Sequence, residues 1–138
     1  MIANRTILIT GCSSGIGLAC ALGMKQRGWR VFATARNAAD LSRLESQGLE
    51  AIVLDYADAA SVTACAAEVA GRSGGKLDAL FNNGAYGQPG ALEDVRREVL
   101  ERQFACNVFG WHQLTMLLSV RATPAASNNR AASRTVSV

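Results

Sequence analysis

The stretch Thr10-Gly11-Cys12-Ser13-Ser14-Gly15-Ile16-Gly17 decides how the rest of the chain is interpreted. An apolar, β-branched segment precedes it, and an amphipathic segment from Leu18 to Arg27 follows it. A buried strand, a glycine-rich turn and a helix form the arrangement that binds the pyrophosphate of a dinucleotide. The first N–H groups of a helix have no internal partner and lie at the positive end of its dipole, so a phosphate satisfies both. A simple turn between a strand and a helix also explains these eight residues, so other elements have to support the interpretation.

Composition and charge narrow the class of protein. The 138 residues correspond to about one domain, and a hydrophobic share of 49% is typical of a globular chain. The net charge of +3 comes without a long basic run, so we predict no nucleic-acid partner. No apolar run is long enough to span a bilayer and no export signal begins the chain, so we predict no membrane partner. The four cysteines lack C-x-x-C spacing, and we expect reduced thiols, no metal and a cytoplasmic location.

Strand and helix patterns alternate through most of the chain. Predicted strands cover about residues 5–10, 29–35, 49–54 and 77–81. Predicted helices cover about 15–27, 38–47 with Asn37 as its cap, a segment from Asp58 or Ser61 to 70, and a long 93–118. This alternation predicts an α/β fold, the N-terminal half of a Rossmann-type doubly wound parallel sheet with strand order 3-2-1-4. We assign residues 1–120 to this incomplete dinucleotide-binding domain and 121–138 to a disordered or frameshifted tail, because the tail lacks apolar periodicity.

The end of the second predicted strand carries information on the cofactor. An Asp or Glu about 20 residues past the glycines would bind the ribose 2′-hydroxyl of NAD. The segment Ala33-Thr34-Ala35-Arg36-Asn37 contains no acid, and the guanidinium of Arg36 suits a 2′-phosphate. We therefore predict NADP in preference to NAD. An exposed arginine at a strand end is the alternative explanation of Arg36.

The T-G-x-x-x-G-I-G form of residues 10–17 resembles the short-chain dehydrogenase/reductase family, and later elements extend the resemblance over about residues 5–120. Asp55, with Tyr56 beside it, resembles the family aspartate that takes the adenine amino group. Asn82-Asn83-Gly84-Ala85 is similar to the family N-N-A-G element with its last two residues exchanged. Asn107 matches the active-site asparagine, the one catalytic residue that the resemblance assigns here. The implied cofactor-binding residues are Gly11, Ser13, Ser14, Gly15, Ile16, Gly17, Arg36, Asp55, Tyr56, Asn82, Asn83, Gly84 and Ala85.

Structural roles also explain these later elements. Asp55 suits a helix cap or a turn, and two asparagines with a glycine suit a turn after a strand. Asn107 is explained equally well as a solvent-facing residue of a helix. The lone His112 is interpreted as a packing residue and not as a catalyst, because no partner is visible.

The resemblance implies hydride transfer between NADP(H) and a small carbonyl or alcohol substrate. The family uses a serine and a Y-x-x-x-K pair for this reaction, and the sequence departs from the family here. Its tyrosines are Tyr56 and Tyr86, and its lysines are Lys25 and Lys76, so the spacing does not occur. Three hypotheses remain: an NADP-dependent oxidoreductase, an inactive dinucleotide-binding fragment, and an unstable truncated subunit that works, if at all, only by pairing with another subunit. In the family that the sequence resembles, the long helix commonly packs against the same helix of a neighbouring subunit. The apolar surface of residues 93–118 therefore leads us to predict a homo-oligomer.

Overall fold

The computed structural model describes residues 5–121 and 134–137. Its strands form one parallel sheet in the order β3-β2-β1-β4-β5. The predicted order of the first four strands is thereby confirmed. The sheet extends from β1 in both directions, which places a crevice at the carboxyl ends of β1 and β4. The strands are β1 (Thr6–Ile9), β2 (Arg30–Ala35), β3 (Glu50–Val53), β4 (Ala79–Asn82) and β5 (Arg134–Ser137).

The fifth strand is an addition that the sequence analysis did not predict. β5 pairs with β4 from Ala79 opposite Arg134 to Asn82 opposite Ser137. Without this partner, β4 would present a row of unpaired N–H and C=O groups. The remainder of the tail, residues 122–133 and 138, lies outside the described residues, and so do the disorder and frameshift that we predicted there.

Helices connect the strands and cover both faces of the sheet. α1 (Gly15–Gln26), α2 (Ala38–Ser46) and α3 (Ala59–Ser73) occupy the predicted positions. Asn37 caps α2 by accepting a hydrogen bond from the Asp40 N–H at 2.8 Å. Asp58 caps α3 by accepting from the Ala60 N–H at 2.9 Å, which decides between the two predicted starts of that helix.

The long helix predicted over 93–118 is interrupted near its start and widened in its middle. A 3-10 turn covers Leu92–Asp94, and α4 (Arg97–Phe104) follows it. The two are separate because Val95 and Arg96 adopt extended backbone conformations. α4 then continues through a π-helical segment, Ala105–Gly110, into α5 (Trp111–Arg121). The helix therefore begins four residues later than predicted and carries one wider turn in its middle.

Among the residues that the structure describes, the core consists of two apolar clusters, one on each face of the sheet. Successive residues of a strand point to opposite faces, and both faces of a parallel sheet are covered. Leu8 and Phe32 pack with α3 and α5, whereas Ile7, Ile9 and Val31 pack with α1 and α2. Within the described ranges, no helix has the length and apolar content needed to cross a membrane.

Candidate functional site

A cleft of about 230 Å³ lies at the carboxyl ends of the first four strands. The loops after β1, β2, β3 and β4 all contribute to its walls, as expected for ligand sites in open parallel sheets. Nine of the predicted site residues line the cleft: Gly11, Ser13, Ser14, Arg36, Asp55, Tyr56, Asn83, Gly84 and Ala85. Five do not line it: Gly15, Ile16, Gly17, Asn82 and Asn107.

The N-terminus of α1 opens at this cleft without a side-chain cap. Ser14 is the N-cap residue, its backbone is extended, and its side chain makes no capping hydrogen bond. α2 and α3, in contrast, are both capped by side-chain oxygens. Ile16 in the first turn of α1 is 69% exposed. The first N–H groups of α1 are therefore available to an anion, which is the partner that the positive end of a helix favours.

Three glycines bring the first loop and the loop after β4 into contact. Gly11 has a φ of +68°, and a Cβ on it would lie 2.5 Å from Gly84 Cα. A Cβ on Gly17 would overlap the Gly11 carbonyl oxygen and lie 2.6 Å from Asn83 Nδ2. The glycines of the motif thus serve loop-to-loop packing in addition to leaving the start of α1 open.

The buried Thr10 hydroxyl connects these two loops. Thr10 Oγ1 accepts hydrogen bonds from the backbone N–H groups of Asn83 and Gly84, each at 3.0 Å. The Tyr56 hydroxyl lies 2.9 Å from Thr10 Oγ1 and 2.5 Å from Asn82 Oδ1. Burial raises the pKa of the Tyr56 phenol well above its ordinary value, so the hydroxyl stays neutral. Although Tyr56 and Asn82 were predicted as cofactor-binding residues, their polar groups belong to this buried network.

Asn83 joins the same network from the second loop. Its Nδ2 donates to the carbonyl oxygens of Thr10 and Gly11, at 3.1 and 3.3 Å. The alternative explanation of Asn83 as a turn residue therefore describes only part of its role, because its partners lie more than 70 residues away.

Two residues that hold the site, Thr34 and Trp111, were missed by the sequence analysis, and the role of a third was not recognised. Thr34 Oγ1 accepts from the Gly11 N–H at 3.2 Å, and Trp111 Nε1 donates to the Gly84 carbonyl at 2.7 Å. Thr10 was noted only as part of the motif. Thr34 carried a signal, because it is a polar residue within the otherwise apolar run of residues 31–35, whereas nothing local marks Trp111.

Asn107 acts on the loop after β4 through the backbone of Tyr86. It lies in the π-helical segment and is half-buried, so the alternative of a solvent-facing asparagine is wrong. Asn107 Nδ2 donates to the Tyr86 carbonyl oxygen, and Gln103 Nε2 donates to the same oxygen at 2.8 Å. Tyr86 itself lines the cleft, so Asn107 contributes to the site by positioning a wall residue. The neighbouring His112 is exposed, and its interpretation as a packing residue is therefore wrong.

Charged side chains surround the mouth of the cleft. Arg36 is exposed at the end of β2, and Asp55 is half-buried after β3. Asp55 Oδ1 accepts from the Ala57 N–H at 3.0 Å, so the predicted turn role is present alongside its place in the cleft wall. Asp40 also lines the cleft, but Arg43 pairs with it at 2.7 Å and additionally donates to the Ser13 carbonyl. The positive charge of Arg43 thereby compensates the negative charge of Asp40, which is one of the two acids that line the cleft.

Comparison with known protein families and sequences gives matches over most of the chain. The family profile described as short chain dehydrogenase matches residues 5–126. The uncharacterized oxidoreductase YbbO of Escherichia coli strain K12 is 41% identical over 117 residues, which cover 85% of this chain and 44% of that protein. The chain thus spans less than half the length of this relative.

Solved structures give the same picture. A short-chain dehydrogenase from Streptomyces avermitilis superimposes with a TM-score of 0.81 at 35% identity, covering 87% of this chain and 45% of that one. L-Sorbose reductase from Gluconobacter frateurii, in a structure with NADPH and L-sorbose, gives a TM-score of 0.78 at 27% identity, covering 88% and 48%.

Proposed function

Because the chain belongs to the short-chain dehydrogenase family, we propose that it binds NADP in the cleft and serves an oxidoreductase acting on a small carbonyl or alcohol. The observation that carries the proposal is the meeting of two anion-binding features in one cleft. The uncapped N-terminus of α1 suits the pyrophosphate, and Arg36 at the end of β2 suits the 2′-phosphate. The L-sorbose reductase structure with NADPH supports the choice of cofactor.

Each end of the cofactor meets suitable chemistry in this cleft. The N–H groups at the start of α1 would hold the pyrophosphate, and the close packing of Gly11 against Gly84 shapes the floor beneath it. Asp55 would accept a hydrogen bond from the adenine amino group. When bound, NADPH supplies a hydride to a carbonyl carbon. Asn107 contributes by holding the backbone of Tyr86 at the cleft wall.

A binding titration tests the proposed cofactor. We expect the purified chain to bind NADP more tightly than NAD, and Arg36→Asp to reverse the preference, because the new carboxylate repels the 2′-phosphate and accepts from the 2′-hydroxyl. Arg97→Asp is the matched control, since Arg97 is an exposed arginine of α4 outside the cleft. Equal affinity of the unmodified protein for both dinucleotides would contradict the choice of NADP.

The catalytic part of the proposal concerns the 138-residue chain by itself. A positioned proton donor contributes roughly 10²–10⁴-fold to such a reaction, and these residues contain no Y-x-x-x-K pair. We therefore expect the chain alone to bind NADPH without consuming it in the presence of aldehydes and ketones. Steady turnover that disappears in Tyr86→Phe would show that Tyr86 is the proton donor and that this part is wrong.

Self-association through α4 and α5 is part of the proposal. Phe109 is 62% exposed, and Leu100, Phe104, Val108 and Met116 are each about half exposed on the same run of helix. An apolar surface of this kind favours a second copy as its cover. We expect sedimentation to show a concentration-dependent dimer or larger species that Phe109→Ser weakens and Leu92→Ser, on the separate 3-10 turn, leaves unchanged. A monodisperse monomer at all concentrations would contradict it.

The proposed setting is the cytoplasm. All four cysteines are free thiols in the described part of the chain. A reducing compartment keeps thiols in this state. Retention of the thiols in protein isolated under alkylating conditions would support the assignment, and disulfide-linked species would oppose it.

A further inference from the structure

A second cavity, of about 290 Å³, adjoins the cleft on the side of α4. The two cavities share Arg36, Asp55, Tyr86 and Cys106 as lining residues, so they lie side by side at the adenosine end of the proposed site. The second cavity adds Arg102, which the sequence analysis did not select.

Helical spacing explains why Arg102 reaches this space. Val99, Arg102 and Cys106 are three and four residues apart, which places them on one face of the helical run. All three line the second cavity. Arg97 and Glu101 lie outside it and pair with each other at 3.0 Å. α4 therefore presents one arginine to the cavity and keeps another in a surface ion pair.

The charges of Arg36 and Arg102 are uncompensated by ion pairs in the described part of the chain. The ion pairs there use Arg30, Arg43, Arg72 and Arg97. Burial and the Asp55 carboxylate raise the pKa of the Cys106 thiol, while Arg36 and Arg102 act in the opposite direction. Both guanidinium groups thus favour the thiolate form of the same side chain, Cys106. With one carboxylate and two guanidinium groups, the lining of the second cavity carries a net positive charge.

We propose that Arg102 is a second residue that determines cofactor specificity, binding the 2′-phosphate of NADP together with Arg36. This inference rests on the proposed function. A phosphate monoester is close to dianionic at neutral pH and offers three acceptor oxygens, so it accommodates two guanidinium groups. A phosphate between the two arginines would satisfy both cations at once.

The test compares adenosine 2′,5′-bisphosphate with adenosine 5′-monophosphate, which differ only in the 2′-phosphate. We expect Arg102→Gln to weaken binding of the bisphosphate about tenfold, as loss of a charge-assisted hydrogen bond does, and to leave the monophosphate unchanged. Arg102→Lys keeps the positive charge but lacks the planar guanidinium group. We expect its affinity for the bisphosphate to lie between those of the unmodified protein and Arg102→Gln. Arg97→Gln is the matched control, with the same change of charge on the same helix and no expected effect on either ligand.

Each alternative outcome has a distinct meaning. Unchanged binding of the bisphosphate by Arg102→Gln would overturn the inference while leaving the proposed function intact. An equal loss for both ligands would also overturn it, because Arg102 would then act on the adenine ring or through the fold. Thermal unfolding of Arg102→Gln and Arg97→Gln separates a contact with adenine from an effect on the fold, because only an effect on the fold would lower the melting temperature of Arg102→Gln below that of Arg97→Gln. An unmodified protein that binds neither ligand would overturn the proposed function and the inference together.

Discussion

The side chain of Asn107 forms hydrogen bonds with both backbone groups of Tyr86. Its Nδ2 donates to the Tyr86 carbonyl at 2.7 Å, and its Oδ1 accepts from the Tyr86 N–H at 3.2 Å. The two residues are 21 positions apart, so these side-chain bonds fix the π-helical segment to the loop after β4. A wider turn of this kind occurs often at functional sites.

Loss of the two Asn107–Tyr86 hydrogen bonds should make the loop after β4 more mobile. We expect Asn107→Ala to lower the free energy of unfolding by about 1–3 kcal/mol, because the Tyr86 N–H loses its bond to Asn107 and the Tyr86 carbonyl keeps only the bond from Gln103. Hydrogen exchange of the Tyr86 amide should accelerate. His112→Ala, an exposed change on the same helical run, is the control and should alter neither quantity. Unchanged exchange in Asn107→Ala would show that Gln103 alone holds the loop.

Thr10 offers a second test, because its hydroxyl serves several partners at once. Thr10→Val keeps the shape but removes the acceptor of the Asn83 and Gly84 N–H groups. We expect a loss of about 2–4 kcal/mol in chemical denaturation, since these two groups would remain partly buried and unpaired. Thr6→Val on β1, the strand directly before Thr10, is the matched control, because Thr6 is also buried but bonds Asp78 through its backbone N–H. Similar losses in both variants would assign the effect to the strand and not to the network.

Gly17 tests the packing of the two loops. A Cβ at this position would overlap the backbone of Gly11, which cannot move away without separating the loops. We expect Gly17→Ala to destabilise the protein by about 3 kcal/mol or more, the upper end of overpacking costs. Gly71→Ala in α3 meets open space and should stabilise by up to about 1 kcal/mol through helix propensity. A Gly17→Ala variant as stable as the parent would mean that the loops tolerate a wider spacing.

Glu50 makes stability depend on pH. Hydrogen bonding and charge from Arg30, with a smaller contribution from Arg72, lower the pKa of the Glu50 carboxyl below its ordinary 4.5. A lowered folded-state pKa contributes stability above the unfolded value, and this contribution is lost as the pH falls through the folded value. Because the pairs are about one-third exposed, we expect Glu50→Gln to cost only about 1 kcal/mol at pH 7.

The pH profile provides the check on this prediction. The difference between parent and Glu50→Gln should shrink as the pH falls below 4.5. Glu101→Gln is the control, because its pair with Arg97 is far more exposed and should contribute less at every pH. A difference that stays constant down to strongly acidic pH would show that packing, and not charge, is responsible.

Local chemistry explains what the sequence determined by itself. The β-branched run before Gly11, the helix caps Asn37 and Asp58, and the regular alternation of strands and helices depend on neighbouring residues, so they can be recognised without knowledge of distant contacts. The handedness of crossovers then restricts the strand order. For the same reason, the position of the cleft and most of its lining follow from the positions at which the strands end.

Only the tertiary structure decided which groups face the cleft and which support it. Tyr56 and Asn82 follow strands as cofactor-binding residues would, yet their polar groups turn inward to Thr10 and to each other. The π-helical segment passes close to Tyr56, because a Cβ on Gly110 would lie 2.5 Å from the Tyr56 carbonyl oxygen. The place of Arg102 in the second cavity depends on how α4 lies over the strand ends. These relationships join residues 26 to 66 positions apart, and burial and hydrogen bonding across such separations are fixed only when the whole chain packs.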